Sequence, residues 1–196
     1  LRHDILCGCP ILRKRRYPAY TLHRTVCFIG RSGRSHCSHR TCLFILFTHL
    51  TKMAIAYYAE EVKLPAIKKK AVGDWIRKVA SLYGKRTGDI SYIFCSDEKI
   101  LEVNKQYLQH DYYTDIISFD YTEGTKISGD LFISLDTVKS NSENFGTDYT
   151  EELHRIIIHG ILHLCGINDK GPGEREIMTQ KENEALALLP EEDRKS

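Results

Sequence analysis

The sequence predicts an α+β fold, α/β-like in its alternation: a small mixed β-sheet surrounded by helices. Two observations carry this. Runs of β-formers alternate along the chain with segments whose apolar residues recur at helical spacing. One helical segment, ending near residue 165, is apolar almost all round, which is the pattern of a helix buried within a protein.

Taken in order, Pro65 suits the first turn of a helix, where its missing N–H costs nothing. Ile67, Ala71, Val72, Trp75, Ile76, Val79, Leu82 and Tyr83 then follow at helical spacing, and Gly84 suits the end. Asp89 to Cys95 alternates with β-formers and reads as a strand. Ser96 is an N-cap with Asp97 and Glu98 in the first turn, so a helix runs from there to about Tyr107. Gln109 to Thr114 is a polar loop. Asp115 to Tyr121 and Gly129 to Leu135 read as strands, with a turn near Glu123-Gly-Thr-Lys. Asp136 to Asn144 is a helix closed by Gly146. A buried helix runs from Asp148 or Thr150 to Cys165. After Gly171-Pro-Gly, Glu174 to Leu189 forms a last amphipathic helix.

Charge divides the chain at Met53. Residues 1–52 hold ten Lys or Arg and one acid, Asp4; residues 53–196 hold 18 basic and 25 acidic residues. Five of the seven cysteines also precede Met53. The first segment shows no helical or alternating period, and its longest apolar run, Cys42 to Phe47, is too short to cross a bilayer. We read residues 1–52 as a disordered, non-native upstream extension from a start placed too early. A transit-like segment is the alternative, since the composition is Arg-rich and acid-poor. Zinc binding by this segment is disfavoured, because Cys7-Gly-Cys9 is not a C-x2-C pair. Residues 53–196 then form one domain. Its two cysteines, Cys95 and Cys165, lie among apolar neighbours and read as reduced thiols of a cytoplasmic protein.

The segment that carries chemistry is His159-Gly-Ile-Leu-His163-Leu-Cys-Gly166-Ile-Asn-Asp169. Residues i and i+4 share a helix face, so both imidazoles can reach one ion. Gly166 can end the helix in the left-handed conformation. The returning chain then offers Asp169 as a third ligand. Three protein ligands with a fourth position open is the pattern of a catalytic zinc site, and two imidazoles with one carboxylate suit Zn2+ without excluding Mn2+, Fe2+ or Ni2+.

This run resembles the H-G-x-L-H-L-x-G-x-D-H motif of the bacterial YbeY family of endoribonucleases and rRNA maturation factors. Asn104-Lys-Gln-Tyr107 with Thr114-Asp115-Ile-Ile-Ser118-Phe119 is similar to a second block of that family, and Gly129-Asp130-Leu-Phe-Ile to a third. The resemblance spans about residues 53–189. It implies a zinc helix lining a cleft, one Zn2+ per chain held by His159, His163 and Asp169, and metal-dependent cleavage of single-stranded RNA. The expected role is 16S rRNA 3′-end maturation and ribosome quality control, with ribosomal RNA and the small ribosomal subunit as partners. Two positions depart from the family pattern. Asp169 stands where its third His lies, with Asn168 on its Asp, and Leu108 stands where it has Arg. An anionic ligand lowers the charge of a metal centre and weakens its Lewis acidity.

Two other functions compete. A zinc peptidase of the H-E-x-x-H kind needs Glu after the first His, and Gly160 stands there. A non-catalytic, zinc-stabilised ribosome assembly factor is the other. Asp115, Ser118 and Asp130 read as strand ends, caps or supports for a ligand. Lys68-Lys-Lys70, Arg77, Lys78, Lys85 and Arg86 are either a solvated face or an RNA contact, and the acidic balance of residues 53–196 means that any phosphate contact must be local. His110 and His154 read as surface or structural residues.

Overall fold

The structure, a computed structural model, describes residues 11–13 and 55–194. In chain order the elements are β1 (Ile11–Arg13), β2 (Ile55–Ala59), α1 (Lys69–Leu82), β3 (Arg86–Cys95), α2 (Asp97–Leu108), β4 (Ile116–Asp120), β5 (Lys126–Ser134), α3 (Leu135–Phe145), α4 (Tyr149–Leu164), α5 (Glu174–Leu186) and α6 (Glu191–Arg194). The strands form one mixed sheet in the order β1-β4-β5-β3-β2. β2, β3 and β5 are parallel neighbours, β4 runs antiparallel to β5, and β1 runs parallel to β4.

The central strands explain the layering. Tyr92 to Cys95 of β3 and Leu131 to Ser134 of β5 are buried without alternation, as in strands covered on both faces. Helix α4 is buried from Glu152 to Leu164 and packs on β4 and β5. Trp75, Ile76 and Val79 of α1 complete the same core. The capping signals hold: Ser96 Oγ accepts from Lys99 N–H, and Gly146 closes α3 at φ 61°.

Four boundaries differ from the sequence reading by three residues or more, one being β5, which starts at Lys126 rather than Gly129. Helix α1 starts at Lys69 rather than Pro65, because Lys69 N–H closes a turn on Ile67 O and Lys68 Nζ is drawn to Asp193 Oδ1 at 2.6 Å. Strand β3 starts at Arg86, three residues early, across an irregularity between Thr87 and Ile90. Helix α5 ends at Leu186 rather than Leu189; Leu188 and Leu189 N–H bond to Ala185 and Leu186 carbonyls in tighter turns. Strand β2 has no counterpart in the sequence reading, its five residues at the sheet edge being too short to show a period. Residues 11–13, within the segment read as disordered, form β1; the rest of residues 1–52 lies outside the described residues.

His154 is a core residue. It is 3% exposed and packs edge-on to Trp75, with ring centroids 5.8 Å apart. Burial lowers its pKa from 6.5 to about 4, against a small opposing pull from Asp193 and Asp148. The folded state therefore holds the neutral ring while the unfolded chain takes up a proton from pH 6.5 downward. This contribution is complete above pH 6.5 and is lost as pH falls toward 4, by roughly 3 kcal/mol. Urea unfolding at pH 7.5 and pH 4.5 should show that loss, and His154→Leu should shrink the difference between the two pH values.

Candidate metal centre

Helix α4 is started by Asp148, whose Oδ1 accepts from Thr150 N–H at 2.8 Å and Glu151 N–H at 3.3 Å. Its far end is set by Gly166 at φ +100°, a conformation costly for residues with a Cβ. Gly166 and Ile167 N–H bond back to the His163 and Leu162 carbonyls. The reversal returns the chain along the helix end. Asn168 then points to solvent while Asp169 is buried, so the turn selects Asp169 for the histidines.

The three predicted ligands meet. One donor atom from each of His159, His163 and Asp169 lies within 4.8 Å of the others. His159 Nε2 is 3.7 Å from Asp169 Oδ2, and His163 Nε2 is 3.8 Å from Asp169 Oδ1. Both histidines are 3% exposed and Asp169 is 7% exposed.

The hydrogen bonds decide which ring nitrogen faces this point. His163 Nδ1 donates to Ile167 O at 2.8 Å, so in the neutral ring Nε2 carries the lone pair. That Nε2 is buried without a hydrogen-bond partner. Burial first, then the neighbouring His159, lowers the His163 pKa to about 4, outweighing the pull of Asp169, Ile167 O and Glu182. His159 Nδ1 donates to Glu182 Oε1 at 2.7 Å, which turns its Nε2 the same way. The His163 lone pair thus faces Asp169 Oδ1 across 3.8 Å with no hydrogen bond between them. This donor set fits a cation, and the mixture of imidazole and carboxylate is one that a transition metal accepts.

Supports surround the group. Glu182 of α5 is buried; burial pushes its carboxyl up, but His159 and Arg155 together more than reverse that and hold it low. Arg155 Nη1 reaches Glu182 Oε2 at 3.2 Å and Asn183 Oδ1 at 2.9 Å. Arg175 Nη1 donates to Asp169 Oδ2 at 3.0 Å. Sequence reasoning missed Arg155, Arg175 and Glu182. Glu182 left a signal, since it falls in the inward register of Met178, Ala185 and Leu186, where an apolar residue belongs.

The remaining sequence candidates sort differently. Asp115 is buried, and its Oδ1 accepts from Ile116 N–H at 2.9 Å and Thr114 Oγ1 at 3.3 Å. Burial pushes its carboxyl up, opposed by His159 and Arg175, which places it in electrostatic range of the metal group. Ser118 lies within β4 and is fully buried, and Asp130 accepts from Tyr121 Oη at 3.2 Å. Lys68, Arg77 and Lys85 bond to Asp193, Asp74 and Gly124 O of the same chain. Burial pushes the Cys95 thiol up to about 12 and the Cys165 thiol to about 11, which disfavours the thiolate in both.

Gly160 bears on the peptidase alternative. A Cβ there would lie 2.9 Å from Ile116 Cδ1 and 3.1 Å from Leu131 Cδ2. The position faces the sheet, and a general-base glutamate has no room in it.

Comparison with known proteins shows the family. A family model described as Endoribonuclease YbeY matches residues 56–190. A protein named Endoribonuclease YbeY from Parabacteroides distasonis is 82% identical over 140 residues, which are 71% of this chain and 99% of that protein. The Bacteroides thetaiotaomicron protein of the same name is 70% identical over 69% of this chain and 99% of its own length. That of Porphyromonas gingivalis is 55% identical over 70% and 91%. A solution structure from Thermotoga maritima aligns at TM-score 0.48 and 24% identity, over 69% of this chain and 89% of that one. Through residues 56–190, this chain belongs to the YbeY endoribonuclease family.

Proposed function

We propose that this chain is a single-strand-specific, metal-dependent endoribonuclease acting in 16S rRNA 3′-end maturation and ribosome quality control. His159, His163 and Asp169 hold one Zn2+, and ribosomal RNA in the small subunit is the substrate. The observation that carries the reading is the convergence of two oriented imidazoles and a carboxylate, in a chain whose relatives are named endoribonucleases. About 140 residues of this chain cover those relatives almost end to end, which supports residues 53–196 as the functional unit and residues 1–52 as an extension to it. No helix among the described residues is long and apolar enough to cross a membrane. We place the protein in the cytoplasm, with its RNA.

When bound, the ion supplies Lewis-acid stabilisation of charge developing on the phosphodiester. The protein's own part is to hold the ligands in fixed orientation and to keep the His163 ring neutral. Ile167 O and Glu182 set the tautomers of His163 and His159. Arg175 shares the charge of Asp169, offsetting the loss of Lewis acidity that an anionic ligand brings. Water is limited by the burial of all three ligands.

The test is cleavage of a single-stranded RNA spanning the 3′ end of 16S rRNA, beside the same sequence in a duplex. Wild type should cut the single strand and spare the duplex. Asp169→Ala and His163→Ala should lose more than about 100-fold, beyond the 10- to 100-fold typical of residues that only support a ligand. Full cleavage by both variants would remove the metal group from the reaction. Ribosome binding with no cleavage by wild type would favour a non-catalytic assembly factor.

A further inference from the structure

The loop between α2 and β4 carries a feature that the metal group does not explain. Tyr112 is 37% exposed and Tyr113, its neighbour, is 55% exposed. Rings on a loose loop would mean little, but this loop is braced. Gln109 ends α2 in the left-handed region at φ 57°, and His110 N–H bonds back to Asn104 O. Asn104 is fully buried, and its Nδ2 donates to Tyr112 O at 2.8 Å. Lys105 pairs with Asp111 at 2.8 Å. The His110 ring stacks on Tyr112, with centroids 5.1 Å apart and planes 22° from parallel, and His110 Nδ1 shares a 3.0 Å hydrogen bond with Tyr112 Oη. The loop thus holds the Tyr112 ring at a fixed point, with the Tyr113 ring exposed next to it.

The same loop leads directly to the metal group. Asp115 follows Tyr113 by two residues, and Ile116, the first residue of β4, is the side chain that meets Gly160, next to His159. Asp115 lies in electrostatic range of His159 and Arg175, which brings the end of this loop toward the metal group.

We infer that Tyr112 and Tyr113 form a stacking platform for an unpaired nucleobase next to the bond that is cut. The inference rests on the endoribonuclease reading above. Every base has a π-face, so such a platform accepts any sequence; it takes only a base that is free to leave its stack, which a duplex does not offer. It also supplies affinity that does not depend on charge, in a segment where acids outnumber bases. The platform accounts for single-strand preference by contact rather than by charge.

The test uses the full chain with zinc and a single-stranded RNA that wild type cleaves. The RNA carries 2-aminopurine, or an abasic nucleotide, at each position around the cut in turn. Tyr113→Ala should raise KM roughly tenfold with little change in kcat, Tyr112→Ala should raise it less, and Tyr113→Trp should keep the wild-type value. 2-Aminopurine at one position should be quenched on mixing with wild type and not with Tyr113→Ala. An abasic nucleotide at that position should raise KM for wild type and add nothing in Tyr113→Ala. Unchanged KM and quenching in both alanine variants, with cleavage intact in wild type, would overturn the platform and leave the endoribonuclease reading standing. Abasic substitution without effect at every position would overturn it in the same way. If wild type neither binds nor cuts single-stranded RNA, the endoribonuclease reading itself falls and the platform falls with it.

Discussion

Glu182→Ala is expected to destabilise the fold by about 3–5 kcal/mol, the usual cost of removing one member of a buried ion pair. It should also weaken metal affinity by roughly 10- to 100-fold, the range for residues that orient a ligand. Glu182 is 2% exposed and touches His159 Nδ1 at 2.7 Å and Arg155 Nη1 at 3.2 Å. Alanine leaves a buried guanidinium short of its main counter-charge and lets the His159 ring choose the wrong tautomer. Glu182→Gln should be milder, since an amide oxygen can still accept from Nδ1–H. Urea unfolding measures the first effect and competition with a chelator the second. A loss below about 1 kcal/mol in Glu182→Ala would mean that this network contributes little to the fold.

Gly160→Glu is expected to prevent stable folding. The Cβ alone would press on Ile116 and Leu131, and the carboxylate would be driven into the apolar face of the sheet. Burying an unpaired charge costs several kcal/mol, and native domains hold only about 5–15 kcal/mol in all. Gly160→Ala separates packing from charge. Overpacking by one methyl costs about 1–3 kcal/mol, while alanine returns up to about 1 kcal/mol of helix propensity, so a small net loss is expected. Thermal unfolding of the two variants checks both. A folded Gly160→Glu protein near wild-type stability would reopen the peptidase reading, because it would show room for a base at that position.

The candidate ligand set is legible in the sequence because local rules bring its residues together. Helical period aligns His159 with His163, and Gly166 reverses the chain within six residues of the second histidine, so Asp169 arrives without any long-range information. The helices are legible for the same reason, from caps such as Ser96 and Asp148. What escapes a reading of the sequence depends on partners distant along the chain. Glu182 reaches His159 across 23 residues, and no local pattern announces that pair. Arg175 lies six residues after Asp169, but its role depends on the turn that brings α5 back. The departure at Asp169 is visible as an altered charge; the pairing of Asp169 with Arg175 is not. Strand β2 is hidden because Ile55–Ala59 gains its identity from pairing with Ile90 to Phe94 of β3. The start of α1 is displaced because Lys68 answers to Asp193, far down the chain.

The most direct test of the central claim is zinc affinity, measured by chelator competition on the full chain, for wild type and Asp169→Ala, with elemental analysis to fix stoichiometry. One zinc per wild-type chain is expected, with an affinity at least about 100-fold lower in Asp169→Ala and the variant still folded. Equal zinc affinity in the two proteins, or no metal on wild type under zinc-replete conditions, would contradict it: His159, His163 and Asp169 would then be a buried polar cluster and not a metal centre.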